Sequence, residues 1–214
     1  MKTGIFGGSF NPIHNGHIAL AAEIRRRAGL DEVWMMVSPQ NPLKQGDCLL
    51  DENARLRLAR RALAGHEGLV ASDYEFALPR PSYTWDTLCR LKADYPDRQF
   101  SLIIGGDNWA LFDRWRHHDD ILRHHRIIIY PRRGSDIDRG TLPDGVTLVD
   151  TPLLDISSTD IRERIGGGQS IDGMVPDGIR DEVISLYRDM ATARATAARQ
   201  NAAMGCRQHQ DKHL

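Results

Sequence analysis

Lysine is scarce in this chain: it occurs only at Lys2, Lys44, Lys92 and Lys212, and every other basic residue is arginine. The 28 basic and 29 acidic side chains leave a net charge of -1, so no global field draws the molecule toward nucleic acid or a membrane. Cysteine is scarce too. Cys48, Cys89 and Cys206 are odd in number, far apart and without a C-x-x-C pair. That speaks against a disulfide framework or a zinc knuckle and fits a reducing, cytoplasmic compartment. Long apolar runs are missing, the stretch from Val33 to Val37 covering five residues where a bilayer span needs roughly 20. The opening MKTGIFGGSF carries glycines where an export signal would be apolar. The common nucleotide fingerprints are absent as well: there is no G-x-G-x-x-G, no loop ending in G-K-[ST], and Ser38 and Pro39 rather than an acid follow the second apolar run.

What is present is an ordinary globular composition, 41% hydrophobic and 27% charged over 214 residues. That length predicts one domain, residues 1–190, with a helical part from about 151 and a tail, 191–214, rich in Ala, Arg and Gln that extends a helix or frays. Strands are expected at Thr3–Phe6, Glu32–Val37, Gly68–Ala71, Phe100–Ile104, Arg126–Tyr130 and Val146–Val149. Helices are expected at Gly16–Ala28, Asp51–Ala64 with several arginines outward, Thr84–Tyr95, Ser158–Ile165 and from Asp177. This alternation predicts an α/β, Rossmann-like parallel sheet with helices on both faces and a small C-terminal helical segment. Ligands in such sheets sit beyond the carboxyl ends of the strands, here after Phe6, Val37, Ile104 and Tyr130.

Two segments carry candidate chemistry. In Gly7-Gly8-Ser9-Phe10-Asn11-Pro12-Ile13-His14-Asn15-Gly16-His17 the glycines let a ligand approach the backbone, and Asn15 reads as the N-cap of the first helix. That helix start favours anions, and two imidazoles beside it can donate to phosphate oxygens. His17 shares a helical face with Leu20 and Ile24, which also suits a buried structural histidine. Two histidines, two glycines and a helix start together favour the phosphate site. In Ile156-Ser157-Ser158-Thr159-Asp160-Ile161-Arg162, Ser157 and Asp160 have capping-box spacing, so a second helix start faces anions with Arg162 on its first turn. Taken alone, that segment equally suits an ordinary capped helix.

Together, G-G-S-F-N-P-I-H-N-G-H and I-S-S-T-D-I-R resemble the nucleotidyltransferase superfamily with an HxGH signature. Ser82-Tyr83-Thr84, Ile104-Gly105-Gly106-Asp107, Trp115, and Pro42 with Lys44 make the chain similar to the bacterial nicotinate-nucleotide adenylyltransferase family over about residues 1–190. It departs from that pattern at Leu43, where the family often has histidine, and in the tail from Ala191. The resemblance implies adenylyl transfer from ATP to nicotinate mononucleotide, with Mg²⁺ accompanying ATP and no metal site of the protein's own. It implies His14, His17, Lys44 and Arg162 as catalytic groups. Gly7, Gly8, Ser9, Phe10, His17, Gly105, Asp107, Ser157, Ser158 and Arg162 would line the ATP site. Lys44, Ser82, Tyr83, Thr84, Trp85, Asp107 and Trp115 would hold nicotinate mononucleotide. The main-chain N–H groups at Thr84 and Trp85 would take the carboxylate, and the Trp115 ring would stack on the pyridine. No nucleic-acid or membrane partner is implied, and assembly as a homo-oligomer stays open. The alternatives are a sibling such as phosphopantetheine adenylyltransferase and a non-catalytic nucleotide sensor. His117, His118, His124 and His125 prompt a metal-binding reading, but pairs interleaved with Asp119 and Asp120 read better as a polar helix surface.

Overall fold

Short aliphatic runs with apolar side chains on both faces make strands that must be covered twice. The computed structural model describes residues 1–39, 49–152 and 155–192. Its strands are β1 (Lys2–Gly8), β2 (Glu32–Val37), β3 (Leu69–Ser72), β4 (Gln99–Gly105), β5 (Arg126–Tyr130) and β6 (Val146–Leu148). They form one sheet in the order β3-β2-β1-β4-β5-β6, every neighbouring pair parallel. The helices are α1 (Asn15–Ala28), α2 (Glu52–Ala62), α3 (Thr84–Asp94), α4 (Gly106–Trp109), α5 (His118–His124), α6 (Ser158–Gly166) and α7, residues 177–192. All six expected strands and all five expected helices are there. The short α4 and α5 were not among the expected elements. The tail expected at 191–214 lies, from residue 193 on, outside the described residues.

The period of two along each strand divides the core. Val33, Met35 and Val37 of β2 and Ile128 of β5 enter one cluster with Ile18, Ala21 and Ile24 of α1, Leu58 of α2, Ile161 of α6 and Val183 of α7. Trp34, Met36, Ile127 and Ile129 point the other way, onto Leu88 and Leu91 of α3 and Ile121 of α5. Each such fully buried aliphatic side chain contributes about 1.5–3 kcal/mol, so both layers are needed. Sequence order reverses between β1 and β4, on either side of which the chain turns to opposite edges. The carboxyl ends of those strands therefore open a crevice.

The several outward arginines expected on α2 are there, and one further arginine of that helix is buried. Arg57, Arg60 and Arg61 of α2 do face outward, each in an ion pair, but Arg55 is buried, 1% exposed. Its Nε donates to Leu50 O at 2.8 Å, Nη1 to Ser9 O at 2.6 Å and Ser38 O at 2.8 Å, and Nη2 to Pro39 O at 3.1 Å. Burial lowers its pKa, with Tyr187, Glu52 and Asp51 opposing, yet a guanidinium stays charged under such pressure. One planar fork thus serves carbonyls from the β1–α1 loop, the end of β2 and the approach to α2.

Arg55→Met, of similar bulk, leaves these carbonyls without their donor, at about 1–3 kcal/mol each before water relieves any. Urea unfolding should show a loss of at least about 3 kcal/mol, and a smaller loss for Arg55→Lys, which keeps charge but not the fork. A loss under about 1 kcal/mol for Arg55→Met would show that the loop holds without it.

Candidate active site

The β1–α1 loop is built around His14. This residue, not Asn15, is the N-cap of α1: its backbone is extended (φ -149°, ψ 168°) and its Nδ1 accepts from the His17 N–H at 3.3 Å. Asn15 starts the helix and is claimed elsewhere, its N–H donating to Met174 O and its Nδ2 to Gly173 O. Because Nδ1 accepts, neutral His14 keeps its proton on Nε2. The His14 and His17 rings stack at 3.6 Å between centroids. Gly16 makes this possible, since a Cβ there would lie 3.0 Å from His14 Nδ1 and 3.1 Å from Cε1.

Phe10 has the left-handed φ of 42° that a bulky side chain rarely adopts. It is held there by burial: its ring is 3% exposed, packs edge-on to His17 at 5.0 Å and to Phe6 at 5.9 Å, and closes the space beside Gly8. Phe10 thus packs against His17 and faces the core.

The second segment arrives where the sequence places it. Ser157 caps α6, accepting from Asp160 N at 3.0 Å. Ser158 Oγ donates to Pro12 O at 2.9 Å, and Arg162 Nη1 donates to Asn11 O at 2.8 Å. Asn11 in turn accepts at Oδ1 from Leu50 N and from the Tyr187 hydroxyl of α7. The N-termini of α1 and α6, two anion-attracting ends, are therefore pinned to one loop.

A cleft of about 270 Å³ runs across the carboxyl ends of β1, β2, β4 and β5 and shares Gly7 and Gly8 with this loop, whereas His14, His17, Ser157, Ser158 and Arg162 are not among its lining residues. Gly7, Gly8, Ser82, Tyr83, Thr84, Gly105 and Trp115, all expected site residues, line it. Tyr83 is the cap of α3 and has no side-chain cap bond, so its side chain takes none of the first N–H groups of α3. Asp107 is exposed and sits over Gly105, 3.7 Å from Arg132. Ser9 stands behind the glycines, its carbonyl taken by Arg55. The Trp85 ring points away from the cleft, toward His117, His124 and His125. Lys44 lies outside the described residues.

Several lining groups escaped the sequence reading. Asn108, Arg114 and Arg116 adjoin the expected Asp107 and Trp115 and were discoverable by that adjacency. Glu75 was not. It accepts from Ser38 Oγ at 2.9 Å and Thr87 Oγ1 at 3.1 Å, and burial pushes its carboxyl pKa up. Only tertiary structure brings it to the cleft.

A family model described as cytidylyltransferase-like matches residues 5–164, which places the chain in that class of nucleotide-handling proteins. Within it, the chain belongs to the nicotinate-nucleotide adenylyltransferase family. A Bacteroides fragilis protein named probable nicotinate-nucleotide adenylyltransferase is 51% identical over 170 residues, 79% of this chain and 85% of that one. A Cytophaga hutchinsonii protein of the same name is 43% identical over 86% of this chain and 96% of its own. In fold, the chain is similar to the Plasmodium falciparum nicotinic acid mononucleotide adenylyltransferase complexed with NaAD. There the TM-score is 0.74 at 20% identity, over 89% of this chain and 97% of that one. Among the described residues no helix is long and apolar enough to cross a membrane.

Burial, with Arg132 adding to it, lowers the His14 pKa from 6.5 to about 4. The unfolded chain binds this proton more readily than the folded one. The stability tied to neutral His14 is therefore complete above the unfolded pKa of about 6.5 and is lost as pH falls from there toward about 4. In a histidine-resolved NMR titration the His14 ring signals should stay still from about pH 8 to about pH 5.5. A His14 transition near 6.5 would show an open, solvated ring.

Proposed function

We propose that this protein transfers the adenylyl group of ATP to nicotinate mononucleotide, releasing pyrophosphate and giving deamido-NAD. The observation that carries the reading is the meeting of two anion-attracting helix starts on one loop, whose Gly7 and Gly8 also line a cleft that holds a third helix start, without a side-chain cap, beside an aromatic ring.

The chemistry asks for positioning and charge more than for covalent help. A 5'-phosphate oxygen of nicotinate mononucleotide attacks the α-phosphorus of ATP. The bond from that phosphorus to the bridging oxygen breaks, and the electron pair leaves with pyrophosphate. His14, neutral with its proton on Nε2, donates to a phosphate oxygen whose charge grows in the transition state. His17, held parallel against it, acts on the same phosphates. Arg162, anchored at Asn11 O through one nitrogen, and Lys44 hold the departing pyrophosphate. Gly7 and Gly8 let the triphosphate lie against the backbone, with Ser157 and Ser158 alongside. Gly105 and Asp107 bound the adenosine end. Mg²⁺ enters with ATP as part of the substrate, ligated by phosphate oxygens and water. The N–H groups of Thr84 and Trp85 receive the nicotinate carboxylate, and Trp115, half-buried at the cleft wall, stacks on the pyridine. We place the reaction in the cytoplasm, where the free thiol of Cys89 stays reduced.

Pyrophosphate release measured against a panel of acceptors tests the assignment directly. Nicotinate mononucleotide should turn over and phosphopantetheine should not; the reverse would move the protein to the sibling activity. His17→Ala should keep the fold and lose on the order of 10²-fold in kcat. Near wild-type turnover would return His17 to a structural role.

Acid and amide substrates separate on hydrogen bonding. A carboxylate accepts from two N–H groups, whereas an amide must turn its NH₂ toward one of them and leave a donor unmatched. Nicotinate mononucleotide should therefore exceed nicotinamide mononucleotide by about 10² or more in kcat/KM. Equal efficiency would remove the carboxylate pocket and leave adenylyl transfer standing.

A further inference from the structure

The amino ends of the strands, at the other end of the sheet from the cleft, surround a second cavity, of about 320 Å³. Lys2 of β1, Lys92 of α3, Arg98 and Gln99 before and on β4, His124 and His125 at the end of α5, and Arg126 of β5 line it. No carboxylate is among its lining residues. Of the acids nearby, Glu32 pairs with Arg98 and Asp94 with Arg90, while Asp31, which accepts from the Lys2 main-chain N–H at 2.7 Å, and Asp97 stand outside the lining residues. Among the described residues, Lys2, Lys92 and Arg126 have no ion-pair partner.

An ordinary reason for basic residues here would be the helix carboxyl ends, since α1, α3 and α5 all finish on this side. That reason is too small. Three helix ends supply at most about -0.5 charge each, against the positive side chains of Lys2, Lys92 and Arg126 at the cavity wall itself, where no carboxylate stands. The surplus is felt locally. Burial, then the fields of Lys92 and His124, lower the His125 pKa to about 4, and no acid opposes them there. A concave wall of one sign focuses its field on whatever enters.

We propose that this cavity is a second anion site, which takes the polyphosphate chain of a small phosphorylated ligand. Several charges on one ligand match Lys2, Lys92 and Arg126, which approach from three separate elements. His124 and His125 can donate to phosphate oxygens at its floor. Leu30, Pro96 and Phe100 add an apolar wall that suits a base or another flat group. The site is a strand's length from the adenylyl-transfer cleft, about 20 Å at roughly 3.3 Å per residue, so the two can be filled at once.

Calorimetric titration of the full chain with inorganic tripolyphosphate counts the sites. The double variant Lys92→Ala/Arg126→Ala should bind one tripolyphosphate fewer than wild type, with unchanged unfolding midpoint and unchanged kcat and KM. This difference does not depend on whether the adenylyl-transfer cleft also binds the probe, so failure here is distinguishable from failure of that assignment. The milder Lys92→Gln should weaken the same site several-fold and make its affinity less sensitive to salt. Equal stoichiometry and affinity in wild type and double variant would overturn the proposal. Repeating the titration with GTP separates the two ligand sources. Tighter binding than tripolyphosphate at the site lost in the double variant assigns the apolar wall to a nucleoside, and equal binding assigns the site to the phosphate chain alone.

Discussion

A parallel sheet ends in carbonyls that point into the loops, and at the carboxyl ends of β1 and β2 those carbonyls meet the guanidinium of Arg55. Its planar donors serve Ser9, Ser38, Pro39 and Leu50 together. A lysine could place a charge there but not donors in three directions within one plane. The group is expensive to bury and more expensive to lose, because its removal strands several carbonyls in a dry interior. Everything that shapes the cleft starts from that fixed point. The glycine-rich loop is held at Ser9, the way out of β2 toward Lys44 is held at Ser38 and Pro39, and α2 is registered against both.

The next tier of constraint runs through Asn11. Its side-chain oxygen accepts from Leu50 N and Tyr187 Oη, while its main-chain oxygen accepts from Arg162. Residues from α2's approach, α6 and α7 thus converge on one position of the first loop. This explains why the helices after the sheet belong to the site although they lie far along the chain. They anchor the β1–α1 loop and bring a second helix dipole to it. The histidine pair is then oriented by short-range means: a cap bond from His17 N to His14, a glycine that leaves room for the ring, and the Phe10 ring packed against His17.

Charge is distributed along the sheet axis with some economy of means. At the carboxyl ends, two helix starts, the histidine pair and Arg162 meet on one loop, and the proposed triphosphate would lie against them. At the amino ends, Lys2, Lys92 and Arg126 line a cavity beside the helix finishes. With a net charge of only -1, the chain builds both positive regions by placement alone.

Much of this was written in the linear pattern. Alternating strand and helix periods located all six strands, the carboxyl-end loops and the capped start of α6, because these depend on neighbours within a turn or two. Tertiary structure decided what local pattern could not weigh. Asn15 is the better cap by intrinsic preference, yet Gly173 and Met174 take its polar groups and leave the cap to His14. Arg55 looks like its outward neighbours on α2 until loops from two other elements deliver carbonyls to it. Glu75 became part of the cleft only when Ser38 and Thr87, 37 and 12 residues away, met at its carboxylate. Periodicity determines which side of an element is apolar. Which polar groups end up buried is decided by the partners that distant segments bring, since a buried polar atom is tolerated only where its hydrogen bonds are met.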